Sequence, residues 1–370
     1  MRPAVRVVAT VATATCVALA FAPSASAHGK HRPAPRPITV VAGGLEGPFQ
    51  ISQDGHHRLL VMESGAGRVI SVDPKRRGSV RTLVSGLGPG AASGAVRVGK
   101  HIAIVTGEAD PSAPAGPYPG SSVLVASKGK VSGFADLMAH ELRYNPDGQT
   151  QFAPDGTTPL DALSNPFSLL AERGRHPGVL VADGGANAVL RVSSKGRVST
   201  FFVPPTVNTG ACEGRPNNDA AHTGCDAVPT GLAYGPRNTI YVSALTGEAP
   251  GEGRVYVLDA RTAKVRKVIK GFTSPTGIAV GKDGTMYVTE VLEGMPEGEP
   301  GPEFDPSTVG QIVKVSPWGK RTYAQVTMPT GVVLSGGSLY ATAWSIAGFL
   351  GIEGAGQVVK VSDRAFRRAS

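Results

Sequence analysis

Internal repetition is the feature that most restricts what this chain can fold into. Six segments align, beginning Pro48-Phe49-Gln50-Ile51, Gly94-Ala95-Val96-Arg97, Pro166-Phe167-Ser168-Leu169, Pro229-Thr230-Gly231-Leu232, Pro275-Thr276-Gly277-Ile278 and Pro329-Thr330-Gly331-Val332. Each continues as an apolar strand, a tight turn and a second strand, as in Val179-Leu180-Val181-Ala182-Asp183 or Met286-Tyr287-Val288-Thr289-Glu290. A third strand of one type recurs, as in Arg68-Val69-Ile70-Ser71-Val72 and Gln357-Val358-Val359-Lys360-Val361. The first five repeats add a fourth strand. Repeats of roughly 45 residues with four strands each specify propeller blades. Composition agrees, since 49 Gly and 30 Pro in 370 residues make a turn-dense chain, and 41% hydrophobic residues supply a core.

The sixth repeat stops after its third strand, near Val361, while Ile38 to Leu45 reads as a fourth strand without its first three. The economical solution is an all-β, six-bladed β-propeller of four-stranded blades over residues 38–363. The N-terminal strand would complete the last blade and hide edges that invite aggregation. Turns between first and second strands, and between third and fourth, are tight. The long insertions are Gly107 to Ser121, Leu292 to Gly310 and Ser345 to Gly356 between second and third strands, with Leu137 to Asn165 and Val203 to Val228 between blades. In an up-and-down blade both connection types emerge on one face. That face is the expected binding face.

Outside the repeats, Arg2 and Arg6, the apolar run Val7 to Ala22 and Ala25-Ser26-Ala27 predict a signal peptide over residues 1–27. Residues 28–37 form a Pro/basic linker, and residues 364–370 a basic C-terminal tail. The expected product is secreted and extracellular, with no membrane span. Without Cys16, only Cys212 and Cys225 remain, and an even pair in an oxidising compartment reads as a disulfide. A metal reading with His222 as third ligand lacks a fourth. The formal charge of +9 is concentrated at basic ends, without a basic stripe interleaved with aromatics, so nucleic acid is not an expected partner.

The motif Pro275-Thr276-Gly277-Ile278-Ala279-Val280, with Gly284 and Tyr287-Val288-Thr289, resembles the NHL repeat. More specifically, the mature chain resembles the ScyD/ScyE family of exported propellers through Asp136-Leu137, Asn145-Pro146-Asp147-Gly148, Ser164-Asn165-Pro166-Phe167, Leu180-Val181-Ala182-Asp183, Val242-Ser243 and Leu245-Thr246-Gly247. That resemblance implies a short helix over Ala135 to Arg143 and supplies no established reaction. A more distant similarity is to gluconolactonase-type propellers, which hold calcium at the channel mouth. Glu46 in Glu46-Gly47-Pro48 matches their first ligand, but Thr230 and Thr276 stand where those enzymes carry Asn and Asp. Calcium takes six to eight oxygens including charged carboxylates. Neither a metal nor a cofactor is therefore expected.

The candidate ligand-binding residues are Glu63, Asp183 and Glu290, which share one register at the end of the second strand, with Thr230 and Thr276 lining the entrance. The competing reading has each carboxylate accept backbone N–H groups in its own loop or the next blade. The loop Leu292 to Gly310 is an acidic flap without the spacing of a calcium loop. No Gly-x-Ser-x-Gly elbow is present and the histidines share no register. These observations predict an exported, non-catalytic binding module for a small molecule, glycan or protein. The alternative is a metal-dependent lactone or ester hydrolase.

Overall fold

A computed structural model describes residues 36–368, apart from 110–115, 176, 297, 299 and 302. The expected signal peptide and most of the linker lie outside the described residues. The described chain forms six four-stranded antiparallel sheets. Blade one comprises Pro48–Gln53, Leu59–Glu63, Arg68–Val72 and Val80–Val84; blade two Ala92–Val98, His101–Thr106, Ser122–Ser127 and Lys130–Asp136. Blade three comprises Pro166–Ala171, Val179–Asp183, Ala188–Val192 and Val198–Phe202; blade four Pro229–Gly235, Thr239–Ala244, Gly253–Asp259 and Val265–Phe272. Blade five comprises Pro275–Val280, Met286–Glu290, Gln311–Val315 and Arg321–Gln325. Blade six takes Val332–Ser335, Ser338–Ala343 and Gly356–Val361 from the end of the chain, and Ile38–Leu45 as its outermost strand. The chain is a six-bladed β-propeller.

Burial follows from this stacking. A second strand is covered on both faces by neighbouring blades, so Leu59–Glu63 and Val179–Asp183 are buried throughout. Outer strands such as Lys130–Asp136 face water and carry polar residues. An apolar cluster fills each blade interface. Val105 and Val123 meet Val181 and Leu190 between blades two and three. Val41, Ala42 and Leu45 meet Ile51 and Val61 between blades six and one.

The closing strand runs antiparallel to Gly356–Val361, with Ile38 opposite Val361, Val40 opposite Val359 and Leu45 opposite Gly356 across two irregularities. The Ser362 N–H donates to the Pro37 carbonyl at 2.9 Å, placing the two ends of the ring side by side. Beyond it the chain still packs. Phe366 is buried, and Arg367 exchanges backbone hydrogen bonds with Tyr323 on blade five. The inserted helix spans Met138–Tyr144 rather than starting at Ala135. Residues through Asp136 remain paired with blade two, and the Asp136 carboxylate accepts the Ala139 N–H at 2.8 Å.

Candidate binding site

The acidic register is built into the blade entrances. Pro48, Pro166 and Pro275 sit directly opposite Glu63, Asp183 and Glu290 in the strand pairing. Proline has no N–H to give the ladder. Each carboxylate instead accepts the N–H of a residue just before the proline: Glu46 to Glu63 at 2.8 Å, Asn165 to Asp183 at 2.7 Å, and Thr273 to Glu290 at 2.8 Å. The remaining lone pairs are also engaged. Arg68 donates to Glu63 at 2.6 and 3.0 Å, Ser164 to Asp183 at 2.7 Å, and Gln311 to Glu290 at 2.7 Å. All three side chains are buried. Burial pushes the Asp183 carboxyl up to about 6 and the Glu290 carboxyl up to about 7, against the opposing effect of these donors. None of the three borders the cavity at the channel mouth.

Thr230 and Thr276 belong to a circuit of hydroxyls around the channel. Ser52 donates to Ala95 O at 2.9 Å, Ser93 to Pro166 O at 2.6 Å, and Ser168 to Thr230 O at 2.5 Å. Thr230 donates to Pro275 O at 2.7 Å, Thr276 to Pro329 O at 3.1 Å, and Thr330 to Phe49 O at 2.8 Å. Each link runs from one blade to the next in the same sense, and the last returns to blade one. Both threonines are buried, and each hydroxyl also lies within hydrogen-bond distance of a hydroxyl in its own blade, Ser243 at 3.2 Å for Thr230 and Thr289 at 2.9 Å for Thr276. Thr276 also borders a small cavity of about 40 Å³ on the axis.

Two aromatic rings border that cavity. Phe49 and Phe167 follow the first proline in blades one and three, and their ring centroids lie 4.7 Å apart. Blade two stands between them in the chain, but its inner strand presents bare backbone at Gly94. A Cβ there would collide with the Gln50 side chain and lie 3.2 Å from Ser168 Cα. Gln50 exploits the gap, donating from Nε2 to Leu169 O at 2.8 Å and accepting the Leu169 N–H at 3.3 Å. The rings border both the axial cavity and a bowl of about 770 Å³ on the long-loop face.

The bowl is asymmetric. One wall is apolar, made by Trp344, Ile346, Phe349 and Ile352 from the blade-six insertion. Trp344 adopts φ +56°, an uncommon conformation for a bulky residue, fixed by its N–H to Thr327 O at 2.7 Å. Its ring packs on the insertion of blade five beside Met295 and Phe304. Phe349, on the short 3₁₀ turn Ala347–Leu350, is 89% exposed. Glu46 and Glu108 supply carboxylates at the rim. Glu46 accepts the Gly354 N–H at 3.1 Å, and burial together with Asp161 pushes the Glu108 carboxyl above its usual range. Among the described residues no three His, Cys, Asp or Glu side chains converge as a metal-ligand set.

The aromatic residues of this bowl were not singled out by the sequence. The available signal was the position after the blade-opening proline, occupied by Phe in blades one and three and by Thr in blades four to six. Cys212 and Cys225 form a disulfide inside the insertion that precedes blade four, with Cα atoms 5.3 Å apart.

No protein-family model matches the chain, and no curated protein sequence matches it. Solved structures match it in fold. A streptogramin B lyase is 13% identical with a TM-score of 0.51, covering 88% of this chain and 97% of its own. The gluconolactonase of Xanthomonas campestris is 11% identical with a TM-score of 0.51, covering 88% of this chain and 89% of its own. At such identity the likeness is architectural: this chain is similar in fold to six-bladed propellers of lyase and gluconolactonase type.

Proposed function

We propose that this chain is an exported binding propeller that holds a small aromatic or apolar ligand bearing a positive charge in the bowl on its long-loop face. The bowl itself carries the reading. Its volume suits a drug-sized molecule, it has an aromatic floor and one apolar wall, and the carboxylates of Glu46 and Glu108 stand on its rim among neutral polar groups. The strained Trp344 at the wall supports it, because backbone strain is retained where a site is over-determined by its surroundings. The disulfide supports export. The hydrolase alternative draws on Glu46 alone. Thr230 and Thr276, which stand where the other two ligands would be, offer buried neutral hydroxyls in place of an amide and a carboxylate.

Benzamidine, an aromatic cation, and benzoate, its anionic counterpart, test this reading by quenching of Trp344 fluorescence in a Trp318→Phe background. Benzamidine is expected to bind saturably and benzoate not. Phe349→Ala and Glu46→Gln should each weaken binding roughly tenfold, about 1.4 kcal/mol, at unchanged melting temperature. Absence of saturable quenching, or calcium-dependent lactone hydrolysis lost in Glu46→Gln, would reject the reading.

A further inference from the structure

The two faces of the disc differ in charge, and the cause lies in the turns. The tight connection between third and fourth strands carries an exposed cation in each of the first five blades: Arg76, Lys128, Lys195, Arg261 and Lys320. Connections between first and second strands emerge on the same face and add exposed Lys100, Arg237 and Lys282. The carboxylates on this face have other partners. Asp73 pairs with Arg58 at 3.3 Å, Glu172 with Arg191 at 2.8 Å and Asp363 with Lys314 at 2.7 Å, while Asp54 meets Arg97 and Asp259 meets Arg266. Asp283 is bonded to Thr285. The opposite, long-loop face exposes Glu108, Asp155, Asp161, Glu213, Glu248 and Glu353. It also carries Arg143 and Arg215, but Arg68 is committed to Glu63.

One aromatic residue breaks the polar surface of the basic face. Trp318 sits between Pro317 and Gly319 at the tip of the blade-five turn and is 93% exposed. Beside it a groove of about 440 Å³ is bordered by Arg237, Lys267 and Arg321, with Asp283. An indole held out at a turn tip suits the boundary between water and acyl chains, where its apolar body and polar N–H are both satisfied. The cations are spread over five blades rather than aligned along one groove. That distribution fits a planar partner better than a single polymer strand.

We propose that the turn face docks on an anionic lipid bilayer, with the turn cations over the headgroups and Trp318 inserted at the interface. Each Lys or Arg near such a surface strengthens binding roughly fivefold. The acidic long-loop face is repelled by the same surface. Docking therefore orients the bowl away from the membrane, open to solvent.

Co-sedimentation of the full chain with phosphatidylglycerol/phosphatidylcholine vesicles, and with pure phosphatidylcholine vesicles, tests the proposal. Binding is expected only to the anionic vesicles and should be reversed by salt. The combined Lys128→Gln, Lys195→Gln and Lys320→Gln variant should bind roughly a hundredfold more weakly. Trp318→Ala should weaken binding roughly tenfold and abolish the blue shift in emission that the wild type shows on adding vesicles. All four positions are exposed at turn tips, and an unchanged melting temperature confirms an intact ring. Equal affinity for pure phosphatidylcholine, unaltered binding of the triple variant, or capture by soluble polyphosphate without vesicle binding would overturn the proposal.

Discussion

A proline at the head of an inner strand fixes φ and withholds a donor, and in blades one, three and five a buried carboxylate directly opposite restores the tie. Keeping that acid in the core has a pH signature. Burial raises Glu290 and Glu141 to about 7 and Asp183 to about 6, and Glu141 Oε2 has no hydrogen-bond partner. An unfolded carboxyl titrates near 4, so in the window up to about pH 7 the folded chain retains protons that the unfolded chain has released. These three carboxyls should therefore make stability fall as pH rises from about 4.5 to about 7, against the smaller opposing contribution of His140, whose pKa burial lowers. Glu290→Gln should fall less, which denaturant titrations at the two ends of that window would show; an identical slope in the variant would exclude Glu290 as a source. The acidic register was legible because blades repeat. The direction each side chain takes was not, because it depends on how the backbone before the proline turns. Gly47 and Ser274 turn into positive φ ahead of blades one and five, whereas Asn165 ahead of blade three does not, and all three approaches still offer an N–H to the carboxylate. The pairing of Phe49 with Phe167 was hidden for a different reason: it requires the bare backbone of Gly94 in an intervening blade.

Among the elements, the insertion ahead of blade four has an apolar cluster of its own, while its polar groups reach the insertion ahead of blade three. Val207 and Cys225 exchange backbone hydrogen bonds at 2.8 Å, and the cystine packs with Val207 and Ala249 in a small cluster of its own. A loop of sequence separation 13 closed by a disulfide constrains the unfolded chain by roughly 3 kcal/mol. Because that cluster does not share residues with the blade interfaces, Cys212→Ser with Cys225→Ser should loosen residues 207–225 and leave the ring intact. Hydrogen exchange should rise there and at Thr150, whose N–H is bonded to Asp219, and a matching rise in the second strands of the blades would contradict the separation. Intact mass after alkylation, with and without prior reduction, checks the bond itself. The pairing was readable from cysteine count and the compartment that the expected signal peptide implies. Strand and insertion boundaries were readable from turn residues, but the helix start was not, since Asp136 serves both the outer strand and the first helical turn.

For the molecule as a whole, the matched truncation of first and last repeats predicted closure, and the pairing of Ile38–Leu45 with Gly356–Val361 realises it. Val41, Ala42 and Leu45 fill the interface between blades six and one, so deleting residues 28–45 should lower the melting temperature of the entire ring. A single transition at the wild-type temperature in the truncated protein would refute this. The hydroxyl circuit acts at the same scale, since six one-way links leave no blade tied to only one neighbour. Closure also has a mechanical consequence. Ile38 lies opposite Val361, so a load applied between the two chain ends enters the strand pair at one end only. Once residues 363–368 have left Tyr323, the hydrogen bonds would break in succession, as in peeling, instead of resisting together in shear. The strand that closes the ring is therefore its weakest point against tension along the chain.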